Sequence, residues 1–166
     1  SVMAIPMAGG KMKELVGLYR DSWRKAGHKG NGRVMLAFHM FCHEDGAKAR
    51  DTAREPLNRY LKSLVSAASD WTSGTTSKDY PGYDKIIAGL ANENFETQTA
   101  KGAAWVGSPD QIKKQITNFV EQNGDFEIAS IQVNFNNISY DEALRSMTLF
   151  AKEVMPHFTG MKKAAE

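Results

Sequence analysis

Residues Phe126 to Asn137, FEIASIQVNFNN, alternate apolar Ala129, Ile131, Val133 and Phe135 with polar Ser130, Gln132, Asn134 and Asn136. Such alternation is the signature of a strand with two unlike faces. The wet face carries hydroxyl and amide groups where charges are usual, which suits neutral hydrogen bonding to a ligand. His39, inside RVMLAFHMFC, is the second residue with chemistry to offer. The set Met35, Ala37, His39 and Phe41 holds the smaller and polar members of that run, so Val34, Leu36, Phe38 and Met40 are expected to face helices and His39 to face inward. An inward imidazole can act as an acid or base near neutral pH, or hydrogen-bond a ligand. Equally, it can be a core histidine satisfied by Gln132 or Asn134.

The other reactive side chains suggest less. His43 adjoins Glu44 and Asp45, a first-turn helix position in solvent, while His28 and His157 stand at helix ends. Four scattered histidines and the lone Cys42 have no metal-ligand spacing, so no metal site is expected. Gly9-Gly10 lacks the Lys and Ser/Thr of a phosphate-binding loop. Gly107-Ser108 could hold an anion at a helix start, but capping is the simpler use.

The elements that position these residues are readable from pattern. Strands are expected at Val2 to Pro6, Arg33 to Cys42 and Phe126 to Phe135, the second a near-continuous apolar run of the kind covered on both faces. A helix is expected over Lys11 to Ala26, with Met12, Leu15, Leu18, Tyr19 and Trp23 at helical spacing. Another spans Glu44 to about Ala68, striped by Leu57, Tyr60, Leu61, Leu64 and Val65, with a kink or restart at Pro56. The stretch 69–83, SDWTSGTTSKDYPGY, reads as a long, lid-like loop carrying Trp71, Tyr80 and Tyr83. A short helix follows at about Asp84 to Asn92. Ser108 as N-cap, Pro109 at the first helical position and Gln111 at the capping-box position start a helix to about Gln122. The last helix runs from about Ser139 to Phe158.

Strands alternating with helices predict an α/β fold with a parallel sheet. Three such strands leave two open edges. A (β/α)8 barrel takes about 250 residues, so this chain of 166 is expected to be a C-terminal portion of a TIM barrel, one partial-barrel domain over 1–166 lacking its N-terminal half. The net charge of +2 offers no strong attraction to nucleic acid or an anionic membrane. A single cysteine forms no intrachain disulfide, which fits a reducing, cytoplasmic setting. No apolar run has the roughly 20 residues of a membrane helix, and the first ten residues lack the features of a signal peptide.

The runs LVGLYRDSWRKAGH, RVMLAFHMF, AREPLNRYL, WVGSPDQI, IQVNFN and LFAKEVMPHF occur in this order over some 150 residues. In that order they resemble the C-terminal part of luciferase-like, flavin-dependent monooxygenases, in particular the FMN-dependent subgroup associated with natural-product biosynthesis. The resemblance implies strands six to eight of the barrel, reduced FMN as cofactor with O2 as co-substrate, a C4a-hydroperoxyflavin, and a separate flavin reductase. It implies that the flavin phosphate is held upstream. The pocket wall around flavin and a small-molecule substrate would then draw on Ile5, Met7, Phe41, Gln132 and Asn134 for the cofactor. Trp71, Tyr80 and Asn136 would serve the substrate and lid, and His39 the catalysis. Two other readings compete: a non-catalytic barrel partner subunit, and a small α/β module that dimerises to cover its edges.

Overall fold

The computed structural model of the chain describes residues 1–6, 11–74 and 82–159. Strand β1 (Val2–Ala4) leads to helix α1 (Met12–Lys25), then to β2 (Val34–Cys42) and the long α2 (Gly46–Gly74). Helices α3 (Tyr83–Ala91) and α4 (Phe95–Ala100) precede β3 (Ala104–Gly107), α5 (Pro109–Asn123), β4 (Ile128–Gln132), α6 (Tyr140–Glu153) and α7 (Met155–Thr159). Among the described residues the four strands form one parallel sheet centred on β2. No helix among them is long and apolar enough to cross a membrane.

Strand β2 owes its position to burial on both faces. Val34, Leu36, Phe38, Met40 and Cys42 pack into one cluster with Val16 of α1, Ile112, Ile116 and Phe119 of α5, and Phe150 of α6. The expected helix-facing set is therefore the one found. Its edges divide by parity, because successive residues of a parallel strand bond to opposite neighbours. Arg33 accepts from Val2 N–H at 2.9 Å and His39 donates to the Ala103 carbonyl at 3.4 Å, whereas Val34 accepts from Glu127 N–H at 3.1 Å. Hence β1 and β3 share one edge of β2 in tandem, and β4 takes the other. Pro6 explains the handover: in this register residue 6 is the next donor, and proline has no N–H to give.

Arg20 locks the base of the sheet. Its guanidinium reaches the Asn31 and Asp125 carbonyls and the Glu127 carboxylate, whose other oxygen accepts from Val34 N–H at 2.7 Å. Opposite, the starts of α2 and α5 meet. Asp45 caps α2 through the N–H groups of Ala47 and Lys48, while Ser108 and Gln111 form the expected capping box of α5. The Gln111 amide fills the space that a side chain at Gly46 or Gly107 would occupy.

Several expectations need correction. The start of the expected loop 69–83 is helical, because α2 continues unbroken through Pro56 to Gly74 and a helix already anchored by Leu57 and Leu61 carries its polar Ser, Asp and Thr residues along, while residues 75–81 of that loop lie outside the described residues. Strand β3 and helix α4 were not expected. The former is four residues buried throughout, with no periodicity to read, and the latter is six residues started by an Asn94–Thr97 capping box. The final helix is two, parted at Val154. The polar-faced strand is shorter, Ile128–Gln132, so Asn134, Phe135 and Asn136 lie beyond its last paired residue.

Replacing Gly46 by Ala forces the Gln111 amide out of the capping box. The expected cost is about 1 kcal/mol, read as a lower urea midpoint at unchanged slope. An unchanged midpoint means that Gln111 moves aside freely.

Candidate functional site

The second face of β2 is formed by Met35, Ala37, His39 and Phe41. Helix α2 lies over its upper end, where Ala49, Ala53, Leu57 and Leu61 pack with Phe41, with Ala104 and Val106 of β3, and with Phe135, Ile138 and Ala143. Below this lid of apolar contacts Met35 and Ala37 are only half-buried. His39 stands at the boundary. Its ring meets Tyr60 of α2 edge-on at 4.9 Å and Phe135 at 5.4 Å and 90°. The residue is 5% exposed, and its Nε2 has no hydrogen-bond partner among the described residues. A buried polar atom left unpaired costs about 1–3 kcal/mol, so the structure must offset it elsewhere or a ligand must supply the bond. Tyr19 Oη and Trp105 Nε1 are also unpartnered, but they belong to the helix-facing cluster.

Burial sets the charge of His39. Desolvation disfavours the imidazolium and pushes its pKa down to about 4. At neutral pH the ring is therefore neutral, with one nitrogen donating and one accepting. Cys42 is driven the opposite way, up to about 12, by burial first and then by the Glu44 carboxylate. It is a protonated core thiol, its backbone N–H bound to Ser146 Oγ at 2.8 Å. His43, half-buried, accepts the Asp45 N–H at Nδ1 and so serves the turn into α2. Among the described residues no group of three or more His, Cys, Asp or Glu could hold a metal ion.

Only some of the expected site residues come together. Gln132 is the register partner of His39 on the neighbouring strand, and Ser130 that of Ala37, so these polar residues do share the inner face with the histidine. Phe41 is there too, but buried under α2. Asn134 and Asn136 are exposed past the strand end, and Asn136 adopts a left-handed φ of 58°, which asparagine tolerates. Past the strand end the expected side of Phe135 is reversed: Ile131 and Val133 pack with the helix layer, whereas Phe135 joins the inner cluster against His39. Ile5 is 51% exposed beyond β1. Trp71 lies in the last turns of α2, and Met7 and Tyr80 fall outside the described residues.

Tyr60 is the site residue that sequence reasoning missed. It was legible as part of the α2 stripe, but that it would stand over His39 depends on where α2 crosses the sheet. A cleft of about 620 Å³ also opens where Phe41, Cys42 and His43 face Arg145, Leu149 and Lys152 of α6, and His39 is not part of its lining.

Several solved structures share this fold. Monooxygenase RslO1 from Streptomyces bottropensis superposes with a TM-score of 0.66 at 24% identity over 95% of this chain and 42% of that one. The oxygenating constituent of 3,6-diketocamphane monooxygenase from Pseudomonas putida, a type II Baeyer-Villiger monooxygenase in complex with FMN, gives 0.62 at 20% over 93% and 41%. EDTA monooxygenase from Chelativorans sp. BNC1 gives 0.60 at 15% over 96% and 39%. The structural likeness is thus to the kind of enzyme that the sequence motifs resemble, and this chain spans about two-fifths of the length of each. No family model matches the sequence, and no curated protein matches it.

The low pKa of His39 makes stability depend on pH. The unfolded imidazole takes a proton below about pH 6.5 and the folded one only below about 4, so stability is full above 6.5 and falls as pH drops between the two. At about 1.4 kcal/mol per pH unit, the loss is on the order of 3 kcal/mol. In guanidinium denaturations at pH 7.5 and 4.5, His39→Phe is expected to lose less stability than the parent chain by roughly 2 to 3 kcal/mol. Equal losses would mean that His39 titrates normally.

Proposed function

We propose that this chain is part of a flavin-dependent monooxygenase, in which β1, β2 and β4 serve as strands six, seven and eight of a (β/α)8 barrel. The observation that carries the reading is His39 Nε2, buried without a partner on the inner, polar-flanked face of a sheet whose fold recurs in monooxygenases, one of them in complex with FMN. That face suits the edge of a flavin ring: a neutral imidazole with one unmet hydrogen bond, and the Gln132 amide beside it. When bound, reduced FMN supplies the activation of O2 for transfer of one oxygen atom to a small organic substrate. A separate reductase delivers the flavin reduced.

The chain's own residues then divide the remaining work. His39 would hydrogen-bond the ring edge, holding a proton at Nδ1 or Nε2 according to tautomer. Gln132 and Asn134 offer amides to the ring, with Ile5, Met7 and Phe41 as apolar wall. Trp71, Tyr80 and Asn136 would serve the substrate, and α2 would exclude water. Other barrel segments hold the phosphate. The single cysteine, free and buried, fits a reducing, cytoplasmic setting.

The flanks favour a larger assembly. Met3, Leu15 and Leu18 are exposed on the β1 and α1 side, and Ile128, Tyr140, Leu144, Met147 and Met155 on the β4 and α6 side. These are where neighbouring strands and helices of a closed barrel would lie. The N-terminal part of the barrel is the proposed cover; a second copy of this chain is the competing one.

In the complete protein, His39→Ala is expected to weaken FMN binding about tenfold, the loss of one hydrogen bond, in a fluorescence titration. Consumption of reduced FMN coupled to product should fall further. Unchanged binding and turnover make His39 structural. A complete protein that binds no FMN at all rejects the monooxygenase reading.

A further inference from the structure

The histidine on which that reading rests is sealed at one ring nitrogen. Its Nε2 is inaccessible as well as unpartnered, so any group that bonds it must first displace a neighbour. Two rings bound the imidazole, and they differ in what holds them. Phe135 is fully buried in the inner cluster with Leu57, Leu61, Phe95 and Ile138, and to move it would open a cavity. Tyr60 is half-buried, projects from the surface of α2 and packs against the margin of the same cluster. Its anchoring neighbours on the helix, Leu57 and Leu61, are buried independently of it. Rotation of a half-exposed side chain about χ1 takes picoseconds to nanoseconds and leaves the helix in place. Of the two rings, only the Tyr60 phenol can leave at small cost.

We propose that Tyr60 is the gate of a ligand subsite at His39: an incoming planar ring with a hydrogen-bonding edge displaces the phenol, takes its place against the inner cluster and makes the bond that His39 Nε2 lacks. The ligand class follows from what is displaced and what remains. The vacated space is that of a flat aromatic ring, its wall is the apolar cluster against which Tyr60 packs, and its floor is a neutral imidazole that offers one donor or acceptor. A charged or purely aliphatic group would satisfy only one of these surfaces. Calling the ring a flavin or its substrate rests on the function proposed above; the gate itself does not.

Diethyl pyrocarbonate, which acylates accessible neutral imidazole, tests the gate on the complete protein, with each histidine followed by mass spectrometry. His39 is expected to react at least tenfold more slowly than the exposed His28 and His157. Tyr60→Ala should bring its rate to within a few-fold of theirs, and Tyr60→Phe should keep it protected, both with unchanged circular dichroism. If the alanine variant does not fold, Tyr60→Ser, measured in the same way, takes its place. Protection that survives removal of the ring, or a His39 that reacts freely in the parent protein, overturns the proposal. Oxidised FMN added to the opened variant is expected to restore protection at His39. Exposure without restoration by FMN keeps the gate and rejects flavin as its ligand.

Discussion

The fold depends on the double burial of β2. A strand sunk between two apolar layers must send alternate side chains into different environments, and here the division is nearly complete: valine, leucine, phenylalanine and methionine to the helices, and methionine, alanine, histidine and phenylalanine to the other side. The same alternation assigns its backbone bonds to two edges. Because β1 stops where proline removes the donor, β3 can occupy the upper part of that edge and carry Ala104 and Val106 to the inner cluster. The place of α2 over the strand end follows, and with it the burial of His39.

Burial rather than charge gives the site its character. Among the described residues no carboxylate or cation contributes to the state of His39; desolvation by burial accounts for the lowered pKa. A neutral imidazole in an apolar frame is a directional hydrogen-bonding group, poorly suited to giving up protons to bulk water. That favours recognition of a neutral ring edge, and it sets His39 apart from His43, whose Nδ1 is already used by a backbone N–H.

Much of this was legible in the residues. The two faces of β2 could be read from RVMLAFHMFC, and the start of α5 from Ser108, Pro109 and Gln111, because each depends on local pattern and local hydrogen bonds. What escaped was decided by tertiary contact. The residues 69–74 have loop composition yet extend a helix that is anchored earlier, at Leu57 and Leu61. AWVG is too short to show a period, and becomes a strand because β2 has a vacant edge. Phe135 departs from the alternation of its segment because the ladder that enforces it ends at Gln132. The meeting of His39 with Tyr60 required the path of α2, which no spacing encodes.

The parallel sheet also dictates an order of events during synthesis. Val34 N–H is bound by a carboxylate 93 residues further along the chain, and the strand beside it arrives with that carboxylate. Until then β2, the most apolar segment of the protein, has one edge unpaired and its helix-facing side without α6. Contacts so distant in sequence close slowly, and an exposed apolar strand is a template for association with other chains. The strand that organises the finished molecule is thus also its greatest liability on the ribosome.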